Sequence, residues 1–545
     1  MIGKAFKKIP GFRRWVSLLT LFTFFLVSSI SGCAINPVTG KRELALISEK
    51  GEIQLGENQY PYTLQQGGGL YRDPELERYI TEVGEKLGKV SHRPHVPYKF
   101  RIVNSSIPNA FALPGGPIAI NRGLLVSLEN EAQLAAVLGH EVGHVSARHH
   151  VQKISQGVLL NLALIVLGSA TKGKGAQVLM ASGLLAGSLL SLHFSREDEA
   201  QSDALGIDYM VRAGYNPIGA VQLQEFFYRK VEKEREPSWL EGLFRTHPFS
   251  KDRMEASSRR IKEVYPDAPK DPHLTLNEER FMRETAKLRR VNEVYKVFDE
   301  GERLLAKGYY QAATEKFREA IRMEPDQAPF YRGLGAGYLK MGDYGKAEEY
   351  LQRSLDLDWD FYLTHYYMGL IRVKRGDYQV AIAELDNSVR LLPTRPAFYY
   401  LGESHEAIRN LEEATRYYEV VVQTREDDEY GRKAKPRLEY LKLFLNPGEF
   451  IQVVSEAWTK EPSTQQASHT LTLSNRSMYP VRNIRLLVRY FSEKKREVDR
   501  REVIVPWVLF PGKTQTFSGI DVGPVHRKAA TSKIEVLGVE VLRIR

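Results

Sequence analysis

The sequence predicts a multidomain fold: a mainly α-helical α+β domain, an α-solenoid of repeated helix pairs and a C-terminal β-sandwich-like module. Three observations predict this order: a histidine-rich helical stretch over residues 124–150, a 34-residue repeat from about residue 290, and short β-rich segments after Pro447. A chain of 545 residues holds roughly three or four domains of ordinary size. The domain boundaries that we expect are 70–275, 290–445 and 450–545.

The first 32 residues have the pattern of a secretory signal peptide. Basic residues without any acid are followed by an apolar run over residues 15–27, which is short for a membrane span. Residues 30–33 (ISGC) resemble a bacterial lipobox, which implies cleavage before Cys33, the only cysteine, and its lipidation. Ala34, where Asp would favour the inner membrane, implies the periplasmic side of the outer membrane. An uncleaved membrane anchor is the alternative, and both place the body of the chain outside the cytoplasm.

The net charge of +10 does not indicate a nucleic-acid-binding protein. Residues 1–32 carry five basic residues and no acid, and residues 451–545 carry 16 basic and nine acidic residues. The middle of the chain is therefore slightly acidic, whereas nucleic-acid binding requires a basic working face. The basic C-terminal segment either contacts an anionic membrane surface or carries scattered, solvated charge. We expect no nucleic-acid partner.

The segment between the signal peptide and the first domain, residues 33–69, is expected to be a tether because it opens with turn-forming residues. In the first domain, apolar spacing predicts a helix over residues 73–90, and alternation predicts a strand over residues 98–103. Two further short strands, 110–113 and 118–120, flank a Pro-Gly-Gly turn.

Residues 158–192 are unusually apolar but are split by the polar segment TKGKG. Each half has about 13 to 17 residues, which is too short to cross a bilayer comfortably. The pattern predicts two helices that are either buried in the protein or in contact with a membrane.

The repeat is carried by small residues that recur every 34 positions. They are Gly308, Gly342 and Gly376, then Ala313, Ala347 and Ala381, then Gly335 and Gly369. This period, with small residues where paired helices meet, is the signature of tetratricopeptide repeats over residues 290–445. Such repeats bind other proteins, so we expect an envelope protein as partner. After residue 450, regularly spaced β-rich runs separated by Asn, Pro and Gly predict a small sandwich.

The helical stretch contains the sequence HEVGH, residues 140–144. His140 and His144 are four residues apart and share one helix face, so both imidazoles can reach one zinc ion. Glu141 lies one step round the helix, where it can act as general base on a water at that zinc. Gly139 and Gly143 cost roughly 1 kcal/mol each in helix propensity, which makes sense if another backbone packs closely against them.

Zinc needs a third protein ligand, and the polar segment SREDEAQSD (residues 195–203) offers one. Glu199 and Asp203 lie one helical turn apart. We interpret Glu199 as the third ligand and Asp203 as the carboxylate that accepts the other N–H of a ligand histidine. A simple surface acid is the alternative for Asp203. His149, His150 and His193 are not expected to be ligands.

HEVGH followed by this segment resembles the HtpX and CAAX-prenyl-protease family of zinc metallopeptidases, over about residues 70–260. The resemblance implies a zincin-like metallopeptidase domain with one zinc ion per chain and Glu199 as third ligand. Segments 109–116 and 246–253 also look like family segments, whereas Ser202 replaces the usual Ala. The resemblance further implies that His247 can occupy the fourth zinc position and hold the enzyme latent. A structural or transition-state-stabilising histidine is the alternative.

We therefore expect a membrane-anchored periplasmic zinc metalloendopeptidase that hydrolyses misfolded or misassembled envelope proteins. The strand at residues 111–113 or the strand at residues 118–120 would hold the substrate by main-chain pairing, which tolerates many sequences. The alternative is a largely latent peptidase that acts as a chaperone or assembly factor for outer-membrane proteins through its repeats.

Overall fold

The computed structural model describes residues 33–166, 193–232 and 251–542. The signal peptide predicted for residues 1–32, residues 167–192 of the apolar stretch, and His247 lie outside the described residues. Contacts between Cα atoms divide the chain into two units, Met1–Thr364 and His365–Arg545.

The first unit contains a two-stranded hairpin, a three-stranded sheet and twelve described helices. The strands are β1 (Cys33–Ile35), β2 (Arg42–Leu44), β3 (Lys99–Val103), β4 (Ala110–Ala112) and β5 (Pro117–Asn121). The helices are α1 (Glu49–Gln66), α2 (Pro74–Lys89), α3 (Arg122–Leu125), α4 (Glu131–Ser146), α5 (His149–Val166), α6 (Arg196–Arg212), α7 (Ile218–Glu232), α8 (Lys251–Val264), α9 (Glu278–Ala306), α10 (Tyr310–Met323), α11 (Ala328–Met341) and α12 (Tyr344–Leu357).

Residues 33–69 differ from the expected tether, because they form β1, β2 and α1 and pack against the first domain. The Asn36 side-chain amide donates to the backbone oxygen of Ala147 over 3.2 Å, and the Tyr60 hydroxyl donates to the backbone oxygen of Ile118. The sequence pattern does not predict this packing, because most of the residues that α1 buries are polar or glycine.

The sheet has the strand order β3-β5-β4, in which β3 is parallel and β4 antiparallel to the central β5. Phe100 of β3 lies opposite Ile118, and Phe111 of β4 lies opposite Ala119. Because β5 is paired on both sides, its backbone cannot accept a further strand. β4 is an edge strand among the described residues, so an added strand can pair there.

One apolar core joins the sheet, the helices of the first domain and the first repeat helix, α9. Fully buried side chains from five elements contribute to it, such as Ile80, Phe100, Leu138, Tyr209 and Phe281. Truncating such a side chain to alanine typically costs about 2–5 kcal/mol. The shared core fixes α9 relative to α4, the helix that carries the histidine motif.

The helical stretch predicted over residues 124–150 is divided in the structure among the end of α3, α4 and the start of α5. The break after α4 lies at Arg148, which adopts a left-handed backbone with φ of +58°. Its guanidinium Nε donates to Glu52 Oε2 over 2.9 Å, and this buried ion pair stabilises the turn. A sequence pattern does not reveal such a break, because the ion pair joins residues far apart in the chain.

The helices α9 to α12 confirm the start of the predicted repeat in the first unit. Gly308 and Gly342 end helices with φ of +84° and +81°, a conformation that glycine adopts without a Cβ clash. Gly335 lies against the side chain of Leu351, and a Cβ at position 335 would be 2.6 Å from Leu351 Cγ. The small residue therefore allows the paired helices to approach.

The second unit continues the repeats and ends in a β-sandwich. Its helices are α13 (Tyr362–Arg375), which crosses the boundary between the units, α14 (Tyr378–Leu391), α15 (Arg395–Ala407), α16 (Leu411–Thr424) and α17 (Glu429–Leu445). Gly376 has φ of +81°, and a Cβ at Gly369 would be 2.7 Å from Leu385 Cγ. These are the same features as in the first unit, one period later, which confirms the repeat.

The C-terminal module consists of two antiparallel three-stranded sheets, β10-β7-β6 and β11-β8-β9. The strands are β6 (Ile451–Lys460), β7 (Gln466–Asn475), β8 (Val481–Phe491), β9 (Glu497–Val505), β10 (Thr514–Pro524) and β11 (Thr531–Val541). Buried residues from both sheets, including Leu471 of β7 and Leu486 of β8, form one apolar core. The predicted β-sandwich-like module is confirmed.

Membrane contact of residues 158–192 was one of the two alternatives for the apolar stretch. Helix α5 extends into this stretch as far as Val166. Within the part of the chain that the structure describes, no helix combines the length and the apolarity needed to cross a membrane.

Candidate metal centre

Helix α4, which carries the HEVGH sequence, begins at a capped and charged N-terminus. The Asn130 side chain accepts a hydrogen bond from the backbone N–H of Gln133 over 2.9 Å. Glu131 is buried, and its carboxylate accepts hydrogen bonds from the hydroxyls of Tyr79 and Tyr215, each over 2.9 Å. A negative charge at a helix N-terminus is favoured by the helix dipole. The start of α4 is therefore fixed in place.

The C-terminal end of α4 is also held by side chains from distant segments. The Arg93 guanidinium donates to the backbone oxygen of Val145 over 2.8 Å, while it pairs with Glu52 over 2.9 Å. Arg93 and Glu52 are both fully buried. Arg93 and Asn36 thus donate hydrogen bonds to backbone carbonyl groups that a helix C-terminus leaves without a partner in the helix. These bonds fix the end of the helix that carries the two histidines.

Helix α6 places the predicted third ligand through its capped first turn. The Ser195 hydroxyl accepts from the backbone N–H of Asp198 over 3.1 Å, and the Asp198 carboxylate accepts from the backbone N–H of Ser195 over 2.8 Å. This reciprocal capping box fixes where the helix begins. Glu199 follows in the first turn with its side chain buried, and Asp203 lies one turn further on.

Glycines allow α4 and α6 to approach closely enough for their side chains to meet. A Cβ at Gly139 would lie 3.2 Å from the backbone oxygen of Gly206, and one at Gly143 would lie 3.1 Å from Cα of Ser202. Both distances are shorter than ordinary carbon contacts, so larger residues would push the helices apart. The glycines that weaken α4 as an isolated helix therefore have a packing function.

The side chains of His140, His144 and Glu199 converge, with one ligand atom from each lying within 4.8 Å of the others. The two histidine Nε2 atoms are 3.0 Å apart. Glu199 Oε1 is 3.4 Å from His144 Nε2, and Oε2 is 3.5 Å from His140 Nε2. A tetrahedral zinc ion with ligand bonds of about 2.0–2.2 Å separates its ligand atoms by roughly 3.3 Å. The donor set and its spacing therefore fit zinc.

The other ring nitrogen of each histidine has a partner that sets its orientation. His140 Nδ1 is 2.9 Å from Asp203 Oδ1, so the ring donates to the carboxylate and turns Nε2 towards Glu199. His144 Nδ1 is 2.9 Å from His149 Nδ1. Complete burial, the largest cause, holds the pKa of His144 well below its ordinary value, so the ring is neutral near pH 7. A neutral imidazole is the form that binds a metal.

Arg253 of helix α8 joins the two carboxylates of α6. Its guanidinium Nη1 is 2.9 Å from Glu199 Oε2, and its Nε and Nη2 lie 2.7 and 2.8 Å from the Asp203 carboxylate. Burial alone would raise the pKa of Asp203, but the Arg253 and His140 interactions outweigh burial and the pKa is lowered. Asp203 is therefore an anion that can orient His140.

Glu141 is buried and lines a cavity that the candidate ligand His140 also lines. The cavity is lined by Glu141 and His140 from α4, by residues of α6 and α7, and by Ala110 of the edge strand β4. By the alternation of an antiparallel ladder, the N–H and C=O groups of Ala110 and Ala112 point away from β5. The cleft therefore combines a carboxylate, a candidate metal site and backbone groups that an extended peptide can pair with.

The structure brings the predicted residues His140, Glu141, His144, Glu199 and Asp203 into one site. Two further residues at the site, His149 and Arg253, are not predicted from the sequence. On a continuous helix, His149 would face away from His140. The break at Arg148 turns it back to contact His144. Arg253 stands in a segment noted for its family-like sequence, but no role was assigned to it.

Comparison with known families agrees with this architecture. Residues 74–261 match the sequence profile described as Peptidase family M48. Residues 298–360 and 366–429 match the profile described as Tetratricopeptide repeat. The chain therefore carries an M48 peptidase domain followed by tetratricopeptide repeats, which confirms the predicted order of a metallopeptidase domain and repeats.

Two curated relatives illustrate the similarity. The Beta-barrel assembly-enhancing protease of Escherichia coli (strain K12) is 28% identical over 223 residues, which cover 39% of this chain and 45% of that protein. The Mitochondrial metalloendopeptidase OMA1 of Schizosaccharomyces pombe is 29% identical over 238 residues, which cover 43% of this chain and 66% of that protein. The chain thus spans about half the length of the first of these relatives.

Among solved structures, MamA from Desulfovibrio magneticus RS-1 is similar to part of the chain. The match has a TM-score of 0.25 and 21% sequence identity, and it covers 27% of this chain and 83% of that chain.

Proposed function

We propose that the M48 domain, over residues 70–275, is a zinc-dependent metalloendopeptidase that hydrolyses peptide bonds in envelope proteins. The observation that carries the proposal is the convergence of His140, His144 and Glu199, with spacings that fit one zinc ion, next to the buried carboxylate of Glu141. Three protein ligands among the described residues leave a fourth position for water or substrate, which is the arrangement of a catalytic zinc site.

When bound, zinc would supply a Lewis acid that polarises the scissile carbonyl and makes water a nucleophile near neutral pH. The carboxylate of Glu141 takes the proton from the attacking water and later delivers it to the leaving amine. The Asp203 carboxylate orients His140 by accepting a hydrogen bond from the Nδ1–H of that histidine. His149 Nδ1 orients His144 by accepting a hydrogen bond from the His144 Nδ1–H. Arg253 fixes the carboxylates of Glu199 and Asp203, so the ligand set stays in place during turnover.

The edge strand β4 is proposed to bind the substrate. Ala110 lines the cleft, and the outward backbone groups of Ala110 and Ala112 can form an antiparallel ladder with an extended peptide. Backbone pairing does not depend on side chains, so it suits an enzyme that acts on unfolded segments of many proteins. Of the two strands considered from the sequence, residues 118–120 are unsuitable because β5 is the central strand.

Metal removal tests the peptidase proposal. Incubation of the full-length protein with a chelator is expected to abolish cleavage of unfolded casein, because the histidine and carboxylate ligands have no other means of activating water. Adding back one equivalent of zinc should restore the rate. Cleavage that persists in the chelator-treated, metal-free protein would contradict the proposal.

We further propose that Cys33 is lipidated and holds the enzyme on the periplasmic side of the outer membrane. The lipobox-like sequence before Cys33 supports this, and β1, which begins at Cys33, is joined to the peptidase domain through Asn36. A lipid at this residue would therefore keep the peptidase domain close to the membrane.

Substitution of Cys33 tests the anchor. Expressed from the full-length sequence in a Gram-negative host, the wild-type protein should fractionate with the outer membrane, and Cys33→Ser should be released from it. The alternative, an uncleaved anchor formed by residues 15–27, predicts instead that Cys33→Ser stays bound to membranes.

The repeats are proposed to bind an envelope protein partner and to deliver substrates to the peptidase. Two profile matches to tetratricopeptide repeats and the name of the Escherichia coli relative, a protease that enhances β-barrel assembly, support a role in the quality control of outer-membrane proteins.

A further inference from the structure

One end of the C-terminal sandwich exposes an apolar connection between two strands. The connection joins β9 to β10, and its sequence from Val505 to Gly512 is VPWVLFPG, in which every residue is apolar or glycine. Trp507 is 46% exposed and Phe510 is 57% exposed. Connections between strands are normally polar because they run over the surface. Exposed apolar residues grouped in this way mark a surface that binds another molecule.

The neighbouring strands hold this connection in one conformation. The N–H of Leu509 donates to Val481 O over 2.8 Å, and the N–H of Val481 donates to Leu509 O over 3.1 Å. The Asn475 side-chain amide also donates to Leu509 O, over 2.9 Å. Leu509 is fully buried and belongs to the core of the sandwich. The two aromatic side chains on either side of it are therefore held at the surface.

A second connection lies beside the first and extends the same surface. It joins β7 to β8 over residues 476–480, and the N–H of Asn475, directly before it, donates to Lys513 O over 2.9 Å. Met478 is 40% exposed, and Arg476 and Lys513 are also exposed. We call these exposed side chains the loop surface: Arg476, Met478, Trp507, Phe510 and Lys513.

The loop surface is too small for a stable protein interface. A large aromatic side chain covers about 150–250 Å², so the three apolar side chains, each about half exposed, present roughly 300 Å². A stable interface between proteins buries about 800 Å² on each partner. A lipid bilayer has no such requirement, because its acyl chains close round each inserted side chain.

The charge of the module is complementary to an anionic membrane. Residues 451–545 carry 16 basic and nine acidic residues, a net charge of +7. Arg476 and Lys513 flank the apolar side chains in the sequence, and tryptophan together with basic residues is the usual anchor at a membrane–water interface. Glu439 of α17 lies beside the second connection, where its carboxylate accepts a hydrogen bond from the backbone N–H of Met478.

We propose that the loop surface inserts into a phospholipid bilayer that contains anionic lipids. Met478, Trp507 and Phe510 enter the acyl layer, and Arg476 and Lys513 bind lipid phosphate groups. This contact requires neither peptidase activity nor a lipid on Cys33, so it goes beyond the proposed function and does not depend on it.

Vesicle flotation tests the proposal. The chain from residue 33 onward, with Cys33→Ser, contains all the described residues but neither a lipid nor the apolar run over residues 15–27. We expect this chain to float with mixed vesicles of phosphatidylethanolamine and phosphatidylglycerol. It should float less with phosphatidylcholine vesicles and less at high salt. Failure to float with the mixed vesicles would overturn the proposal.

The opposite end of the sandwich provides a matched charge control. The connection between β8 and β9 has the sequence SEKKR, with the exposed basic residues Lys494 and Arg496 and no apolar residue. The 11 residues of β8 separate the two ends by roughly 35 Å. This is several Debye lengths at physiological salt, so charges at the far end contribute little to binding by the loop surface.

Two double variants therefore decide which end contacts the lipid. Arg476→Gln with Lys513→Gln should lower the affinity for the mixed vesicles by roughly tenfold or more. Lys494→Gln with Arg496→Gln removes the same charge and should leave the affinity nearly unchanged. Equal losses in the two variants would show general attraction of a basic module and would contradict the proposal.

Insertion of the apolar side chains is tested separately. Phe510→Ser, with unchanged circular dichroism, should lower the vesicle affinity by roughly tenfold. Lipids with brominated acyl chains quench a tryptophan that enters the bilayer, so the parent chain should be quenched. Trp507→Phe keeps a ring beside Phe517, on which Trp507 stacks with centroids 5.5 Å apart, and should bind without this quenching. Parental affinity in Phe510→Ser, or quenching that persists in Trp507→Phe, would assign the loop surface to a protein partner and overturn the proposal.

Discussion

The Glu141→Gln variant is expected to lose peptidase activity by a factor of roughly 10² to 10⁴ in kcat, the usual contribution of a general base. Glutamine has nearly the same shape as glutamate but cannot take a proton from the attacking water. His140, His144 and Glu199 are unchanged, so the variant should still bind one equivalent of zinc. The rate of casein cleavage and the zinc content, measured on the same preparation, check both expectations.

The matched control for this variant is Glu197→Gln, which changes an exposed glutamate in the first turn of α6. It should leave activity and zinc content unaltered. If Glu141→Gln cleaves casein at the wild-type rate, another group activates the water and the assignment of Glu141 is wrong.

The same variant separates the two functions considered for this chain. If the protein degrades misassembled envelope proteins, Glu141→Gln should not restore the wild-type phenotype in cells that lack the native copy. If the protein is a largely latent peptidase that acts as an assembly factor through its repeats, the variant should restore that phenotype in full. The intact ligand set beside Glu141 favours the first outcome.

The second large effect is expected from Glu199→Ala, which removes one of the three proposed ligands. Replacing a residue that only orients a ligand typically costs 10–100-fold in metal affinity, so loss of a ligand itself should cost more. The variant also removes one of the carboxylates with which Arg253 forms an ion pair. We expect the purified protein to contain little zinc and to show no detectable cleavage.

Glu197→Ala is the control for that experiment, because it removes a carboxylate from the same helical turn at an exposed position. It should retain zinc and activity. Circular dichroism should give the same helix content for both variants, since Glu199 lies at the start of α6 and caps nothing. Full zinc content in Glu199→Ala would show that the third ligand is a different residue.

The local part of the site was accessible from the sequence because it depends on one helix. His140 and His144 are four residues apart, and this spacing alone places them on one face. Prediction of Glu199 as a ligand depends on a second segment of the chain. That segment is recognisable because it is a polar run before a helical pattern and because its sequence resembles that of a known family. The tetratricopeptide repeats were equally accessible, since their small residues recur at a fixed interval and the same glycine contacts recur in the structure.

Contacts between distant segments account for what the sequence did not reveal. His149 reaches His144 only because Arg148 breaks the helix, and Arg148 does so through Glu52, almost a hundred residues earlier. Arg253 acquires its partners only when α8 packs beside α6. Helix α1 lies in the segment that the turn-forming residues predict to be a tether, and its largely polar buried face provides no apolar pattern that predicts a packed helix. In each case the stabilising partner lies on another helix or strand, and a local sequence pattern does not predict contacts between distant segments.

The most direct test of the proposed zinc site is a crystal structure of the zinc-loaded protein with diffraction data collected on both sides of the zinc absorption edge. If these three residues are the zinc ligands, we expect one strong anomalous peak per chain, about 2.0–2.2 Å from His140 Nε2, His144 Nε2 and a carboxylate oxygen of Glu199. A peak at other residues, or a zinc ion held by the histidines with Glu199 out of reach, would contradict it.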